Sequence, residues 1–253
     1  LNIVRKRKDG YHDIQSIFQL INLQDEITFK KRKDNCINLK CNLKSLEKDN
    51  LIFEAIQVYS KISKIRDIGL DINLKKNIPV GSGLGGGSSN AATTLFALNK
   101  IYDNKVTLSS LFKAALSIGS DVPFFLNPKN SWVEGKGDII TNIFIKPAWF
   151  IMIFGKHNVS TSDIYELLKI ADQPADYSYD NYMSNNFQND FEKIIFHKYP
   201  SIKSSYDILS NLGNARMSGT GGTTFLSFDT LERAKAAISL IPKNQKAVLI
   251  SSL

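Results

Sequence analysis

Cysteine and histidine are both scarce in this chain, with two cysteines and three histidines among 253 residues. Cys36 and Cys41 have no histidine or further cysteine near them in sequence that would complete a zinc site. We interpret both as reduced thiols in a reducing compartment. Their scarcity argues against zinc-dependent and disulfide-rich classes of protein.

Long hydrophobic runs are also missing, since no stretch approaches the roughly 18 apolar residues of a transmembrane helix. Hydrophobic residues nevertheless make up 43% of the chain, which is typical of a folded protein. A length of 253 residues allows one large domain or two modest ones. We therefore expect a globular protein without a membrane partner.

Acidic residues are fewer than basic ones, and the net charge is +8. Basic clusters lie at residues 5–8 and 30–33, a feature that by itself would also fit nucleic-acid binding. Short lysine runs beside strands are more often solvated edges. We therefore expect no nucleic-acid partner, and RNA binding stays as the alternative from a different functional class.

The segment from Pro79 to Ser89 is rich in glycine, with five glycines at the seven positions 81–87. Apolar residues alternate before it, over 68–78, and recur at helical spacing after it, over 90–101. Glycine tolerates positive φ angles and the close approach of a ligand. Because the free amides and the dipole of a helix N-terminus favour an anion, this strand, loop and helix predict a phosphate-binding loop.

Three common nucleotide-binding motifs do not fit this loop. Gly81, Gly83 and Gly86 satisfy G-x-G-x-x-G, but a dinucleotide site also needs an acidic residue about 20 positions later. Only Asp103 is near that position. A P-loop needs a lysine directly after its last glycine, where this chain has serine. The strand lysine, H-R-D and D-F-G motifs of protein kinases do not occur.

The loop Pro79-Val80-Gly81-Ser82-Gly83-Leu84-Gly85-Gly86-Gly87-Ser88-Ser89 resembles the second motif of the GHMP kinase superfamily, which wraps the phosphates of ATP. A narrower likeness lies at Asp9-Gly10-Tyr11-His12. It is similar to the branch of the superfamily that phosphorylates a cytidyl diphosphate-linked methylerythritol. Further matches follow in order at residues 49–52, 119–124, 134–137, 189–192 and 217–221.

The resemblance implies an α+β protein with the two-domain GHMP kinase fold. It places a ribosomal-protein-S5-like, ATP-binding N-terminal domain over residues 1–146 and a ferredoxin-like C-terminal domain over residues 147–253. The first motif of the superfamily carries a catalytic lysine on the first strand. That lysine would precede Leu1, so we expect further residues before this sequence, and we cannot name the lysine.

The implied activity is ATP-dependent phosphorylation of the 2-hydroxyl of the cytidyl-linked methylerythritol, in the non-mevalonate isoprenoid pathway. ATP and Mg²⁺ are the implied cofactors, and the partner is a small-molecule substrate. Another GHMP kinase activity, on mevalonate, homoserine or a sugar, is the enzymatic alternative, although it leaves the Tyr11-His12 segment without a purpose. We expect the enzyme in the cytoplasm, or in a plastid if a targeting segment precedes the sequence.

Asp121 is the candidate catalytic residue. It lies between the helix-ending Gly119 and Pro123, which predicts a tight turn. Spacing alone favours a turn aspartate that accepts hydrogen bonds from nearby amides. The resemblance implies instead that its carboxylate removes the proton of the acceptor hydroxyl.

The resemblance assigns ATP binding to the whole glycine loop and to Asn50, Leu51 and Lys76, which would line the adenine pocket. Either Ser88 or Ser89 could contact Mg²⁺ through its hydroxyl. Serines after glycine loops are also common helix N-caps, so the metal ligands stay unknown.

Acceptor binding is expected around the Asp9-Gly10 turn, which presents the flat ring of Tyr11 and the imidazole of His12 together. An aromatic face stacks on a base with about 1–3 kcal/mol, although a lone pair of such residues is otherwise surface decoration. The resemblance adds residues on the other side of the cytosine. It also adds a third glycine group, Gly219-Thr220-Gly221-Gly222, that could instead be a plain hairpin turn. The candidates are Tyr11, His12, Thr161, Tyr165, Gly219 and Thr220.

Three local predictions concern the second half of the chain. Apolar spacing predicts a helix over residues 162–170. The polar, aromatic run 172–184 is typical of a loop. The segment Asp229-Thr230-Leu231-Glu232 resembles a capping box at the start of a helix.

Overall fold

The structure is a computed structural model that describes residues 1–168, 178–184 and 189–253. Its contacts divide the chain into two compact units. The first unit comprises residues 1–22, 79–84 and 129–253, and the second comprises residues 23–78 and 85–128. The domain boundary between residues 146 and 147 stays a prediction.

Strands and helices alternate along both units. The strands are β1 (Asn2–Lys6), β2 (His12–Phe18), β3 (Glu26–Lys31), β4 (Ile37–Cys41), β5 (Leu70–Lys75), β6 (Ser131–Glu134), β7 (Ile139–Asn142), β8 (Trp149–Phe154), β9 (Arg216–Ser218), β10 (Thr223–Phe228) and β11 (Ala247–Ser251). The helices are α1 (Leu51–Ser63), α2 (Gly86–Ile101), α3 (Leu108–Ile118), α4 (Val122–Leu126), α5 (Thr161–Leu167), α6 (Tyr179–Ser184), α7 (Glu192–Lys198), α8 (Pro200–Ser210) and α9 (Leu231–Ser239), and a 3-10 turn covers Lys44–Glu47.

Two antiparallel sheets lie in the first unit, with the orders β1-β2-β6-β7 and β11-β8-β10-β9. In the second of these, β8 is paired on both sides, and Ile151 stands opposite Leu226 of β10. Both side chains are buried together with Leu209 of α8 and Ala237 of α9. This sheet therefore buries one face against helices.

The second unit is built on a three-stranded sheet of order β3-β5-β4. β4 and β5 are parallel, so α1 crosses between them over the sheet. Leu70, Ile72 and Leu74 of β5 are at most 2% exposed, which confirms the alternation predicted before the glycine loop. They share one core with apolar residues of α1, α2 and α3.

Two element boundaries near the loop differ from the sequence prediction. β5 ends at Lys75 because the amides of Asn77 and Ile78 each donate to the Asp25 carboxylate at 2.8 Å instead of extending the ladder. α2 begins at Gly86 rather than near residue 90, because Gly85 takes a left-handed N-cap conformation with a φ of 66°.

The prediction of a loop over 172–184 was wrong where the structure can be compared with it. Tyr179–Ser184 forms α6, and Tyr182 is buried with its ring 4.9 Å from that of Trp132. Residues 172–177 of that prediction lie outside the described residues. The predicted helix over 162–170 is observed as α5, which starts at Thr161 because Ser160 caps it, and residues 169–170 of that prediction also lie outside.

The predicted capping box at 229–232 was wrong in register. Thr230 is the N-cap of α9, and its side chain accepts a hydrogen bond from the Arg233 amide at 3.3 Å. Asp229 instead accepts from the Arg233 guanidinium at 3.0 Å. No helix within the described ranges has both the length and the hydropathy of a membrane-spanning segment.

Candidate active site

The glycine loop is divided between the units, with Pro79–Leu84 in the first and Gly85 onward in the second. In the first unit, Gly81 and Gly83 have φ angles of 66° and 72°. A Cβ at Gly83 would overlap the carbonyl oxygen of Ser218. The Ser218 hydroxyl in turn donates to the Gly83 carbonyl at 2.8 Å. The start of the loop is therefore held by backbone packing that only glycine allows.

The third glycine group packs against that start of the loop within the first unit. A Cβ at Gly222 would overlap the Gly81 carbonyl oxygen, and the Gly222 carbonyl accepts a hydrogen bond from the Gly155 amide. The group does join β9 to β10 as a hairpin turn, but it also braces the glycine loop. Gly219, with a φ of 54°, belongs to the same turn.

The second half of the loop opens α2 in the second unit. Its first intrahelical bond runs from the Ser89 amide to the Gly85 carbonyl at 2.9 Å. The amides of Gly86, Gly87 and Ser88 come before it in the first turn and have no intrahelical acceptor. Such a helix start is suited to a phosphate group. The capping alternative for the serines was wrong, because the N-cap is Gly85.

A buried ion pair lies beside this helix start. The Lys76 ammonium donates to Asp25 Oδ2 and to the Ile78 carbonyl, both at 2.6 Å. Asn90 of α2 donates to the same carboxylate oxygen at 3.0 Å. A Cβ at Gly86 would come within 2.9 Å of the Lys76 Nζ. Lys76 thus ties the end of β5 to the start of α2, and its contact with adenine stays a prediction.

Asn50 and Leu51 start α1 in the same unit. The Asn50 side chain caps the helix by accepting from the Ile52 amide at 3.1 Å, and its amide group donates to the Leu46 carbonyl. A Cβ at Gly87 would lie 3.5 Å from Leu51 Cδ1. Leu51 is therefore close to the loop residues that we expect to bind phosphate.

Asp121 sits in the predicted tight turn, at the N-cap position of α4. Its side chain makes no capping hydrogen bond to that helix, which removes the simplest structural role for it. Burial of the carboxyl raises the pKa of Asp121, and no neighbouring charge among the described residues offsets that effect. A half-buried carboxyl with a raised pKa is typical of a catalytic base.

Aromatic rings meet in the first unit where acceptor binding was predicted. The rings of His12 and Tyr165 are 5.0 Å apart, and Tyr165 packs edge-on against Phe191 at 4.8 Å. Tyr11 is 52% exposed, and the Lys136 ammonium lies 4.9 Å from its ring. Burial, followed by the charge of Lys6, lowers the pKa of His12, so its neutral form is favoured.

The two threonines named as acceptor candidates also come together. The hydroxyls of Thr161, at the start of α5, and Thr220, in the third glycine turn, are 3.0 Å apart. They are separated by 59 residues in sequence. The structure therefore brings Thr161 and Thr220 into one pair and His12 and Tyr165 into another, and the binding of the acceptor by these residues stays a prediction.

Two family models match the chain. One, described as GHMP kinases N terminal domain, matches residues 50–128, and the other, GHMP kinases C terminal, matches residues 178–246. The protein named 4-diphosphocytidyl-2-C-methyl-D-erythritol kinase from Francisella philomiragia is 34% identical over 258 residues, covering 100% of this chain and 92% of the relative. The protein of that name from Buchnera aphidicola subsp. Schizaphis graminum is 37% identical, covering 98% and 87%. The chain belongs to the GHMP kinase family.

Solved GHMP kinase structures agree with this assignment. A crystal structure of 4-(cytidine 5'-diphospho)-2C-methyl-D-erythritol kinase superposes with a TM-score of 0.81 at 25% identity, covering 99% of this chain and 94% of that one. Homoserine kinase from Cytophaga hutchinsonii gives a TM-score of 0.63 at 15% identity, covering 95% and 94%, and shows the fold alone. The predicted two-domain GHMP kinase fold is therefore confirmed.

Sequence reasoning missed the roles of three residues that support this GHMP kinase site. Asp25 lies in a short connection before β3, and no motif marked it. Asn189 was inside a matched segment, but the segment received no role. Ser218 was matched as part of the third glycine group, yet its bond to Gly83 crosses 135 residues and has no local signal.

Proposed function

We propose that this GHMP kinase transfers the γ-phosphoryl group of ATP to the 2-hydroxyl of 4-diphosphocytidyl-2-C-methyl-D-erythritol, in the non-mevalonate route to isoprenoids. The near-full-length relatives that carry the name of that kinase support the reaction. The structural observation that carries the choice of acceptor is the pair formed by His12 and Tyr165. A flat ring and a neutral imidazole side by side suit stacking on cytosine and hydrogen bonding to its edge.

In the proposed reaction, the Asp121 carboxylate accepts the proton of the acceptor hydroxyl. The oxygen of that hydroxyl bonds to the γ-phosphorus while the bond to the β,γ-bridging oxygen breaks, which releases ADP. Burial raises the pKa of Asp121 and so makes its carboxylate a stronger base. The free amides at the start of α2 would offset the negative charge on the phosphoryl oxygens.

Magnesium is part of the proposal, and its binding requires only a few protein side chains. Among the described residues, no group of three His, Cys, Asp or Glu side chains could hold a metal ion. Mg²⁺ usually keeps several waters and binds through substrate phosphates with one or two side chains. The hydroxyl of Ser88 or of Ser89, both in the first turn of α2, would supply that contact. When bound, the ion would neutralise phosphate charge.

The remaining roles follow the same proposal. Residues 79–89 would bind the ATP phosphates, and Asn50, Leu51 and Lys76 would lie on the adenine side. Thr161 and Thr220 would hold the acceptor together with Gly219, and Tyr11 would stack on its base. We also propose that the enzyme acts in the cytoplasm on this small-molecule substrate, without a nucleic-acid or membrane partner.

Coupled ADP release tests the proposal. Full-length protein is supplied with ATP, Mg²⁺ and the cytidyl-linked acceptor, and in parallel assays with mevalonate or homoserine as acceptor. We expect turnover with the cytidyl-linked acceptor alone, and a loss of about 10²- to 10⁴-fold in kcat for Asp121→Asn. Turnover with mevalonate or homoserine instead would assign a different GHMP kinase activity. Salt-sensitive RNA binding without turnover would favour the binding-protein alternative.

A further inference from the structure

The segment Asn189-Asp190-Phe191-Glu192 has no part in the proposed reaction, yet its side chains are unusually well fixed. Asn189 is 6% exposed. Its amide nitrogen donates to the Gly219 carbonyl at 2.6 Å and to the Met217 carbonyl at 3.1 Å. Its amide oxygen accepts from the Phe191 backbone at 3.1 Å. Asn189 therefore uses both donors and its acceptor on the main chain.

Neighbouring residues hold Asn189 itself in place. Glu192, which is also 6% exposed, donates its backbone amide to the Asn189 carbonyl at 2.8 Å. The Asp190 carboxylate accepts from the Ile3 amide of β1 at 2.6 Å. Because Asn189 is held by its neighbours from several directions, the Met217 and Gly219 carbonyls that it binds are fixed as well.

The Met217 carbonyl lies in β9 and the Gly219 carbonyl in the third glycine turn that follows it, and this stretch makes two contacts of functional interest. Ser218, between the two bonded carbonyls, donates to the Gly83 carbonyl in the glycine loop at 2.8 Å. Thr220, next to Gly219, meets the Thr161 hydroxyl at 3.0 Å. A shift of Gly219 would therefore disturb both the loop start and the threonine pair.

We propose that Asn189 is a positioning residue for the kinase reaction. It sets the third glycine turn so that Ser218 braces the glycine loop and Thr220 pairs with Thr161. The inference rests on the proposed function for the roles of the glycine loop and the threonine pair, and the Asn189 side chain itself bonds main-chain groups. An asparagine suits the position, because one nitrogen must donate twice while the oxygen accepts once.

The test compares two variants at this position with a matched control. Asn189→Ala removes all three hydrogen bonds. Asn189→Asp keeps an acceptor oxygen for the Phe191 amide, but it places a carboxylate, which cannot donate, against the Met217 and Gly219 carbonyls. Asn99 is the control, since it is 8% exposed and likewise bonds the main chain on both sides, through Val106 N and O at 3.0 Å each. These hydrogen-bond partners of Asn99 belong to neither the glycine loop nor the third glycine group.

We expect Asn189→Ala and Asn189→Asp to raise KM for both substrates and to lower kcat/KM by about 10- to 100-fold, because small displacements of positioned groups are costly. Asn99→Ala should lose similar thermal stability while its KM values stay at the wild-type level. If Asn189→Ala instead matched Asn99→Ala in stability and in both KM values, the positioning role would be overturned.

A second pair of variants keeps the test valid if Asn189→Ala folds poorly. Ser218→Ala should raise KM for ATP, and Ser218→Thr should restore it because threonine keeps the hydroxyl. The double variant Asn189→Ala/Ser218→Ala should lose less than the product of the single losses, since both act through one turn. Full multiplicative losses would contradict the proposal.

Nucleotide affinity separates this inference from the proposed function. A fluorescent ATP analogue can be titrated into each variant without any acceptor. If wild-type protein binds the analogue but turns over no cytidyl-linked acceptor, the proposed function fails. If Asn189→Ala binds the analogue more weakly than wild-type protein while Asn99→Ala does not, the positioning role would still be supported. If Asn189→Ala binds the analogue as tightly as wild-type protein, the positioning role would be overturned.

Discussion

Asp25 and Lys76 form an ion pair in which the carboxylate and ammonium side chains are only 3% and 6% exposed, with 2.6 Å between Oδ2 and Nζ. Asp25 also accepts from two backbone amides and from Asn90. The adjacent pair, Glu26 with Lys75, has a similar separation of 2.9 Å but is 59% and 60% exposed. Two neighbouring ion pairs thus differ mainly in burial.

Asp25→Ala should lower the free energy of unfolding by about 3–5 kcal/mol, because it leaves the Lys76 ammonium buried without its charged partner. Glu26→Ala should change it by less than about 1 kcal/mol, since water screens the exposed pair. Urea unfolding followed by circular dichroism measures both. Equal effects would mean that the buried network contributes nothing beyond a surface pair.

Asp121→Asn should lose activity and gain stability. Burial raises the folded-state pKa of Asp121 above its unfolded value, so the folded protein holds the proton more tightly than the unfolded chain does. The stability of wild-type protein relative to the variant therefore falls as the pH rises through the folded-state pKa. We expect the variant to be the more stable protein at pH 7, and the difference to vanish below about pH 4.

Unfolding titrations at several pH values measure this difference, and the assay of ADP release supplies the activity. A variant that was less stable at pH 7 would show that the carboxylate has a favourable partner in the folded protein.

Gly83→Ala should be far more costly than Gly10→Ala. Both glycines have positive φ angles, 72° and 86°, but a Cβ at Gly10 would meet nothing within 4 Å. Gly10→Ala should therefore cost only the conformational strain of about 1 kcal/mol. Gly83→Ala should cost at least about 2 kcal/mol more, because its Cβ overlaps the carbonyl of Ser218. Thermal unfolding compares the two, and similar melting temperatures would contradict the backbone packing described for the loop.

Lys6→Met should raise the pKa of His12 toward its usual range. Burial and the charge of Lys6 together hold that pKa low, and the substitution removes the second cause. Lys8→Met, two residues along the same hairpin, is the control and should leave the pKa of His12 unchanged. NMR titration of the imidazole measures the shift, and an identical pKa in wild type and Lys6→Met would assign the whole effect to burial.

Patterns of short range were predictable from the sequence. The alternation of apolar residues before the glycine loop was confirmed in β5, because an apolar period is a local signal. The glycine loop and the turn at Asp121 were likewise predictable from the sequence. The expectation that Thr161 and Thr220 bind the acceptor came from the resemblance rather than from any local pattern.

The supporting contacts were not predictable, because their partners are far apart in sequence. The bond from Lys76 to Asp25 spans 51 residues, and the bond from Asn90 to Asp25 spans 65. Nothing in a connection such as Leu23-Gln24-Asp25 indicates that its aspartate is buried. Only the packing of β3 beside β5 brings that carboxylate to the end of β5.

The glycines of the loop differ in how their loss could be repaired in a genetic screen. At Gly83 an added Cβ meets main-chain atoms, which every amino acid carries, so no second substitution can make room. At Gly86 it meets the side chains of Lys76 and Ile78, where a smaller residue would relieve the overlap. Suppressor mutations should therefore arise for alleles at the end of the loop and not for those at its start.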